Sequence, residues 1–379
     1  MGEITNVLRI AFSLHYFQDS GNMVNMKSRL HAPTSAPKST APPARAARRK
    51  SGGTTLRDVA RMAGVSVITA SRALNTPDKV SPEALQRIRT AVTHTGYVPN
   101  LLAGGLASSR CRLVAAVIPA IAGSVFMETI QALTDELAQE GSQLMLGQSG
   151  YADSREDALL DAIIGRRPDG IVLTGILHSA HGRRRLAASG IPVVETWDLT
   201  PTPIDMLVGF SHEQVGSTVA NYLFKKGYRK LAIVTADDQR AGLRRAAFEQ
   251  QAKARRLPKP AVCTVSAPST LAGGRAALVQ LLAQGELPDA IFCSSDLLAH
   301  GVITEAHARK IPVPQKLAVI GFGGLSFAEH IHPALTTVRI DGTAIGRQAA
   351  RFILDRINGA KPGARVRDIG FSIVERASA

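Results

Sequence analysis

Cysteine is scarce in this chain: Cys111, Cys263 and Cys293 are the only three in 379 residues, far apart and without a C-x-x-C pair. So odd and sparse a set excludes a disulfide-stapled scaffold and fits reduced thiols in a cytoplasm. Long apolar runs are missing too, and nothing approaches the roughly 18 residues of a membrane span. The early patch VLRIAFSL is broken by Arg9 and followed by no small-residue cleavage pattern, so no signal peptide is expected. The common catalytic motifs are also absent. There is no GxxxxGK[ST] phosphate cradle and no HExxH. GQSGY at 147–151 lacks the second glycine of a nucleophile elbow, and GFGGLS at 321–326 fails GxGxxG. His178 and His181 have no Cys or second His pair beside them and are expected on a surface loop rather than around zinc. The sequence therefore predicts no catalytic residue, no metal and no cofactor.

Positive charge is abundant and unevenly placed. The net charge is +15 with a pI near 10.2, which favours a polyanionic partner. Residues 1–50 carry eight Lys/Arg against two acids, and 51–110 carry seven against three, leaving only +5 for the other 269 residues. A surface that neutralises phosphates needs its charge concentrated in this way. Within the basic end, residues 1–53 read as a disordered Pro/Ala-rich leader with nothing to bury. ARAARRK at 44–50 either touches phosphates or belongs to that leader, with Met23 and Met26 available as later starts.

Residues 54–98 carry a sharper signal. In TLRDVARMAGVSVITASRALN, Thr55 and Asp58 have capping spacing, and Leu56, Val59, Ala60 and Ala63 form one apolar face. Gly64 supplies the left-handed stop, Val65 plugs the turn and Ser66 caps a second helix. On that helix Ala70, Ala73 and Leu74 face inward, leaving Val67, Ile68, Thr69, Ser71 and Arg72 outside. Ser81-Pro82-Glu83 starts a third helix that Gly96 closes. This is a helix-turn-helix, whose second helix enters the major groove. Val67 and Ile68 suit thymine methyls, Arg72 suits the O6/N7 edge of guanine, and the Thr69 and Ser71 hydroxyls suit phosphates.

The run AGVSxxTxSRxLN, a Ser-Pro third helix and then GYxPN resembles the DNA-binding headpiece of the LacI/GalR repressor family. The resemblance implies a hinge helix within 99–111 that enters the minor groove, including Asn100 and with Leu106 as the wedge that kinks the central base step. The chain departs from the pattern there: Gly104 stands where arginine is usual and Gly105 follows, each costing a helix about 1 kcal/mol relative to alanine.

From residue 112 to 379 buried-strand runs alternate with helices: LVAAVIP, QLMLGQS, PDGIVLTG, GIPVVET, MLVGF, LAIVTA, VCTVS, PDAIFCSS, LAVIGFGG and TTVRI. Such alternation predicts parallel sheets covered on both faces, in two lobes with a ligand cleft at the carboxyl ends of the strands. The segment resembles the family's effector domain, an α/β fold similar to that of periplasmic binding proteins, and DGIVLT, IFCSSDLLAHG and VIGFGG look most like the gluconate-operon repressor branch. The match implies cleft positions at Ser124, Val125, Phe126, Asp198, Arg244, Ser295, Asp296 and Gly323. Gly323 replaces an aspartate of sugar-binding members. Keeping Arg244 while removing that carboxylate shifts the site toward an anion, which a guanidinium grips bidentately.

The expectation is a cytoplasmic homodimer that reads a pseudo-palindromic DNA operator and releases it on binding a sugar acid, gluconate first. A neutral or phosphorylated sugar is the alternative effector. A sugar-binding transport protein would have no use for a DNA reader, and a general duplex-binding protein would leave the cleft unexplained.

Overall fold

The computed structural model describes residues 53–98, 110–121, 124–150, 153–176, 179–360 and 363–379. Residues 1–52 of the leader and 99–109 of the expected hinge, with Asn100, Gly104, Gly105 and Leu106, lie outside the described residues. The chain divides into two compact units between Tyr97 and Val98.

The first unit is α1 (Leu56–Met62), α2 (Val67–Asn75) and α3 (Pro82–Thr95). Asp58 accepts hydrogen bonds from the Thr55 backbone N–H at 3.0 Å and its hydroxyl at 2.6 Å, so the carboxylate closes the start of α1. Ser66 Oγ accepts from Thr69 N–H at 3.0 Å, and Ser81 Oγ from Ala84 N–H at 3.4 Å. Gly64 and Gly96 take φ of +63° and +61° where α1 and α3 stop. Val59, Ala63, Ala73, Ile88 and Ala91 form the core, with Val65, Leu85, Val92 and Tyr97 packed on it.

The second unit holds two six-stranded sheets. The first collects β1 (Leu113–Ile118), β2 (Gln143–Gln148), β3 (Gly170–Thr174), β4 (Val193–Thr196), β5 (Met206–Gly209) and β11 (Val366–Asp368) in the order β11-β5-β4-β3-β1-β2. The second collects β6 (Leu231–Ala236), β7 (Ala261–Val265), β8 (Ala290–Cys293), β9 (Ala318–Gly323), β10 (Thr336–Arg339) and β12 (Ser372–Val374) in the order β12-β10-β9-β8-β6-β7. The central strands are buried throughout, as sheets covered on both faces require.

The helices are α4 (Met127–Gln139), α5 (Asp153–Ile164), α6 (Ala180–Ser189), α7 (His212–Lys225), α8 (Gln239–Ala254), α9 (Leu271–Gln284), α10 (Asp296–Ala308) and α11 (Gly342–Ile357). After β5 the chain passes to the second lobe, where α7 packs on α8; after β10 it returns, and α11 packs on α4 and against β3, β4 and β5. β11 pairs with β5 in the first lobe and β12 with β10 in the second. Two α/β lobes linked by chain crossings are what the alternation predicted.

Four elements were not legible. Helix α6 carries Arg183, Arg184 and Arg185 and buries only Gly182 and Leu186, so its apolar period is faint; His181 is exposed on this helix, not on a loop, and His178 lies outside the described residues. Helix α9 contains Gly273 and Gly274, poor helix formers. Packing overrides propensity there, because a Cβ on Gly274 would fall 2.2 Å from the Leu298 carbonyl oxygen of α10. β11 and β12 are three residues each, and β12 runs antiparallel to β10, so the second sheet is mixed rather than purely parallel.

Candidate functional site

The exposed face of α2 follows from its helical period. Ala70 and Ala73 are 0% and 5% exposed, while Val67 and Ile68 are 42% and 70% exposed. Exposed Arg72 completes a surface of two apolar side chains and one cation. Neither Val67 nor Ile68 packs into the core. The two hydroxyls are half-buried and already engaged. Thr69 Oγ1 lies 2.8 Å from Ser66 Oγ, and the Asn75 amide donates to Ser71 Oγ at 3.4 Å and to its carbonyl at 2.9 Å.

In the second unit a cavity of about 670 Å³, counting its open mouth, lies between the lobes. The first lobe supplies Val125, Phe126 and Trp197, and the second supplies His212, Asp238, Arg240, Arg244, Ser294, Ser295, Asp296 and Phe322. Most of these follow strand ends or open helices, where doubly wound sheets place their ligands.

Arg244 sits one turn into α8 and is 4% exposed. Gly216 on α7 makes that placement feasible, because a Cβ there would lie 2.1 Å from the Arg244 carbonyl oxygen. The guanidinium lies 4.0 Å from the centre of the Phe322 ring. Its Nη1 donates to His212 Nδ1 at 2.9 Å and its Nη2 to the Ser294 carbonyl at 3.2 Å, while Nε has no hydrogen-bond partner among the described residues. Both partners are neutral. Burial pulls the arginine down to about 10, with Asp238 and Asp198 opposing and Arg240 adding to the fall, so it stays a cation at neutral pH.

Arg240, four residues earlier on α8, places its guanidinium 5.3 Å from the Phe126 ring centre across the cleft. Its Nη1 is likewise buried without a hydrogen-bond partner among the described residues. Asp238 caps α8, accepting from Ala241 N–H at 3.0 Å. His212, 3% exposed, is held well below its usual value by burial first and then by Arg244 and Arg240, and is neutral.

Of the residues expected in the cleft, Val125, Phe126, Arg244, Ser295 and Asp296 line the cavity. Ser124 opens the turn that carries Phe126; its side chain lies outside the description. Ser295 Oγ accepts from Leu297 and Leu298 N–H and so caps α10. Asp296 braces its own lobe: it accepts from the Thr337 hydroxyl and, at 2.7 Å, from Leu325 N–H, and burial raises its carboxyl. Asp198 is buried, accepts from Leu199 N–H at 2.8 Å and does not line the cavity. Gly323 has φ +127°, a conformation L side chains rarely adopt, and a Cβ there would meet Val125 Cγ2 at 3.2 Å. Glycine at this position therefore has a backbone reason besides the charge reason.

His212, Arg240, Asp238 and Trp197 were missed. The i, i+4 spacing of Arg240 and Arg244 on one helix face was a usable signal. His212 had none, because it follows β5 and meets Arg244 only through the packing of α7 on α8.

The same two units emerge from comparison with known proteins. Residues 55–100 match the bacterial regulatory proteins of the lacI family, and residues 220–379 match the periplasmic binding protein-like domain. The HTH-type transcriptional regulator GntR of Pseudomonas aeruginosa is 36% identical over 332 residues, covering 87% of this chain and 97% of that protein. The chain belongs to the LacI family. A LacI-family transcriptional regulator from Silicibacter pomeroyi has a solved structure with TM-score 0.81 at 30% identity, covering 86% of this chain and 99% of the other. The lac repressor dimer bound to operator shares the fold, with TM-score 0.73 at 20% identity, over 86% and 99% of the two chains. This LacI-family member is a DNA-binding transcriptional regulator, as the relatives it matches are. Among the described residues no helix is long and apolar enough to cross a membrane, and no group of three or more His, Cys, Asp or Glu could hold a metal ion.

Proposed function

We propose that this regulator is a repressor, a cytoplasmic homodimer that binds a pseudo-palindromic operator and is released by a sugar acid, with gluconate as the first candidate. The observation that carries the reading is Arg244. Arg244 is a buried cation whose hydrogen bonds go to an imidazole and a backbone carbonyl; Asp238 and Asp198 act on it electrostatically, and its Nε, without a hydrogen-bond partner among the described residues, is left to bind an anion. Arg240 adds a second guanidinium with an unpaired buried nitrogen on the same cavity. An aldonate offers a carboxylate to these groups and hydroxyls to Asp238 and the cavity serines.

The dimer and operator come from the family: the lac repressor that shares this fold is a dimer on its operator. Val67, Ile68 and Arg72 read bases in this account, Thr69 and Ser71 support phosphate contacts, and Asn100 and Leu106 belong to the minor-groove hinge. The test is calorimetric titration of the full-length protein with gluconate and with glucose. Gluconate is expected to bind and to weaken operator binding, and by reciprocity operator weakens gluconate binding by the same factor. Equal binding of glucose and gluconate removes the anion-site argument.

A further inference from the structure

The hydrogen bonds of the cavity continue beyond its wall. Arg244 Nη1 donates to His212 Nδ1 at 2.9 Å, and His212 Nε2 lies 2.9 Å from the Trp197 carbonyl oxygen. An arginine only donates and a carbonyl only accepts, so the imidazole between them is neutral and carries its proton on Nε2. Trp197 carries the series on: its indole N–H donates to Thr129 Oγ1 at 3.0 Å, and the Thr129 hydroxyl donates to the Gly342 carbonyl at 2.9 Å. His212, Trp197 and Thr129 are 3%, 2% and 3% exposed, so water does not compete for these bonds.

The path matters because of where it goes. His212 is the first residue of α7, where the chain first leaves the first lobe, and Gly342 is the first residue of α11, where it comes back. Thr129 lies on α4, the helix that packs against α11. Trp197 sits between them with φ +66°, a left-handed backbone that a tryptophan holds only when its surroundings impose it. Here the imposing contacts are the carbonyl bond to His212, the indole bond to Thr129 and the edge-on Phe126 and Phe210 rings.

We propose that His212 is a positioning residue of the effector response: it aims Arg244 into the cavity and, through Trp197 and Thr129, ties the state of that arginine to two of the three crossings between the lobes, those that open α7 and α11. This rests on the reading that the cavity binds an anionic effector. An anion that draws the guanidinium toward itself pulls on a neutral imidazole with one acceptor nitrogen. That imidazole is anchored on the other side to the first lobe, so displacement at Arg244 is passed to α4 and the start of α11 rather than absorbed.

The test uses full-length protein and measures operator affinity without and with saturating gluconate; the ratio is the coupling. Thr129→Val breaks the relay away from the cavity. It is expected to bind gluconate within about threefold of wild type yet to lose at least about tenfold of the coupling, a loss within the usual span of allosteric factors. His212→Leu is expected to lose both affinity and coupling. His212→Gln, whose amide offers an acceptor to Arg244 and a donor to the Trp197 carbonyl, is expected to recover a large part of both. Imidazole ¹⁵N shifts are expected to show His212 as the Nε2–H tautomer. Wild-type coupling in both Thr129→Val and His212→Leu overturns the proposal, and so does an Nδ1–H tautomer. If wild type ignores gluconate, the sugar-acid reading fails separately. The relay is then decided without effector: both variants must still shift the operator affinity of the free protein, and unchanged affinity in both overturns it.

Discussion

The headpiece and the effector unit keep their candidate functional side chains in opposite places. The headpiece has a small core of alanine, valine and isoleucine and holds Val67, Ile68 and Arg72 outside it. The effector unit encloses Arg244, His212 and Asp296 at no more than 4% exposure and packs aromatic rings against the first two. A DNA reader must present its groups to a partner larger than itself, so desolvation is deferred to the encounter. A small-molecule sensor must already be desolvated, because a hydrated guanidinium grips a carboxylate weakly. The two halves therefore fail differently when altered.

The largest expected effect separates them outright. Removing residues 1–110 takes away the whole reading unit and is expected to leave a folded effector unit that binds gluconate like the full-length protein. Sequence-specific operator binding should vanish in a gel-shift titration, and such binding by the truncated protein would break the division of labour. The full-length protein should lose affinity steeply with salt, log K falling by about 0.9 per phosphate contact per log unit.

Next in size is Arg244→Leu. It is expected to cost about 2–5 kcal/mol of gluconate affinity, because truncating one side of a desolvated charge pair leaves the other unpaired. Operator affinity of the free protein should stay near wild type, giving a repressor that effector does not release. Calorimetry and gel shift on the same preparation check both halves. Normal gluconate binding by this variant would sink the anion site.

The contrast also explains what was legible. A helix surface is written at 3.6-residue spacing, so Ala70 and Ala73 inward and Ile68 outward could be read directly. So could the buried strands, and with them the two lobes. Arg244 was found only through a resemblance, and its environment was hidden. His212 and Ser294 reach it from positions 32 and 50 residues away. Asp296 looked like a ligand-facing acid but turns its oxygens to Thr337 and Leu325 of its own lobe. Gly323 looked like a charge deletion until its φ of +127° supplied a second reason. Local period carries no information about such meetings, and α9 shows that local propensity can even point the wrong way.

A smaller effect is expected from pH, confined to the effector unit. His212 is held well below 6.5 by burial and by Arg244 and Arg240 on α8, with the Trp197 carbonyl opposing. The folded state thus binds fewer protons than the unfolded one. His212 should contribute no pH dependence above about 6.5. As pH falls below that, stability is lost by at most about 1.4 kcal/mol per unit until the folded imidazole itself takes a proton. Urea melts of the effector unit between pH 7 and 5 should show this slope, and His212→Gln should flatten it. An unchanged slope in that variant would assign the dependence to other groups.

The smallest effect sharpens the comparison from the headpiece side. Ser66 Oγ accepts from Thr69 N–H at 3.0 Å and touches Thr69 Oγ1 at 2.8 Å, fixing the first turn of α2 where Val67 and Ile68 emerge. Ser66→Ala leaves that N–H without its cap and is expected to cost the headpiece about 1 kcal/mol. Because the chain divides between Tyr97 and Val98, that loss should lower only the melting step assigned to the headpiece, with the effector unit and its gluconate affinity unchanged. Operator affinity should fall by up to about fivefold, since the same 1 kcal/mol or so must be restored when α2 docks. Differential scanning calorimetry separates the two steps. A shift in the effector-unit transition would mean that the two regions do not unfold independently, and the contrast drawn between them would have to be given up.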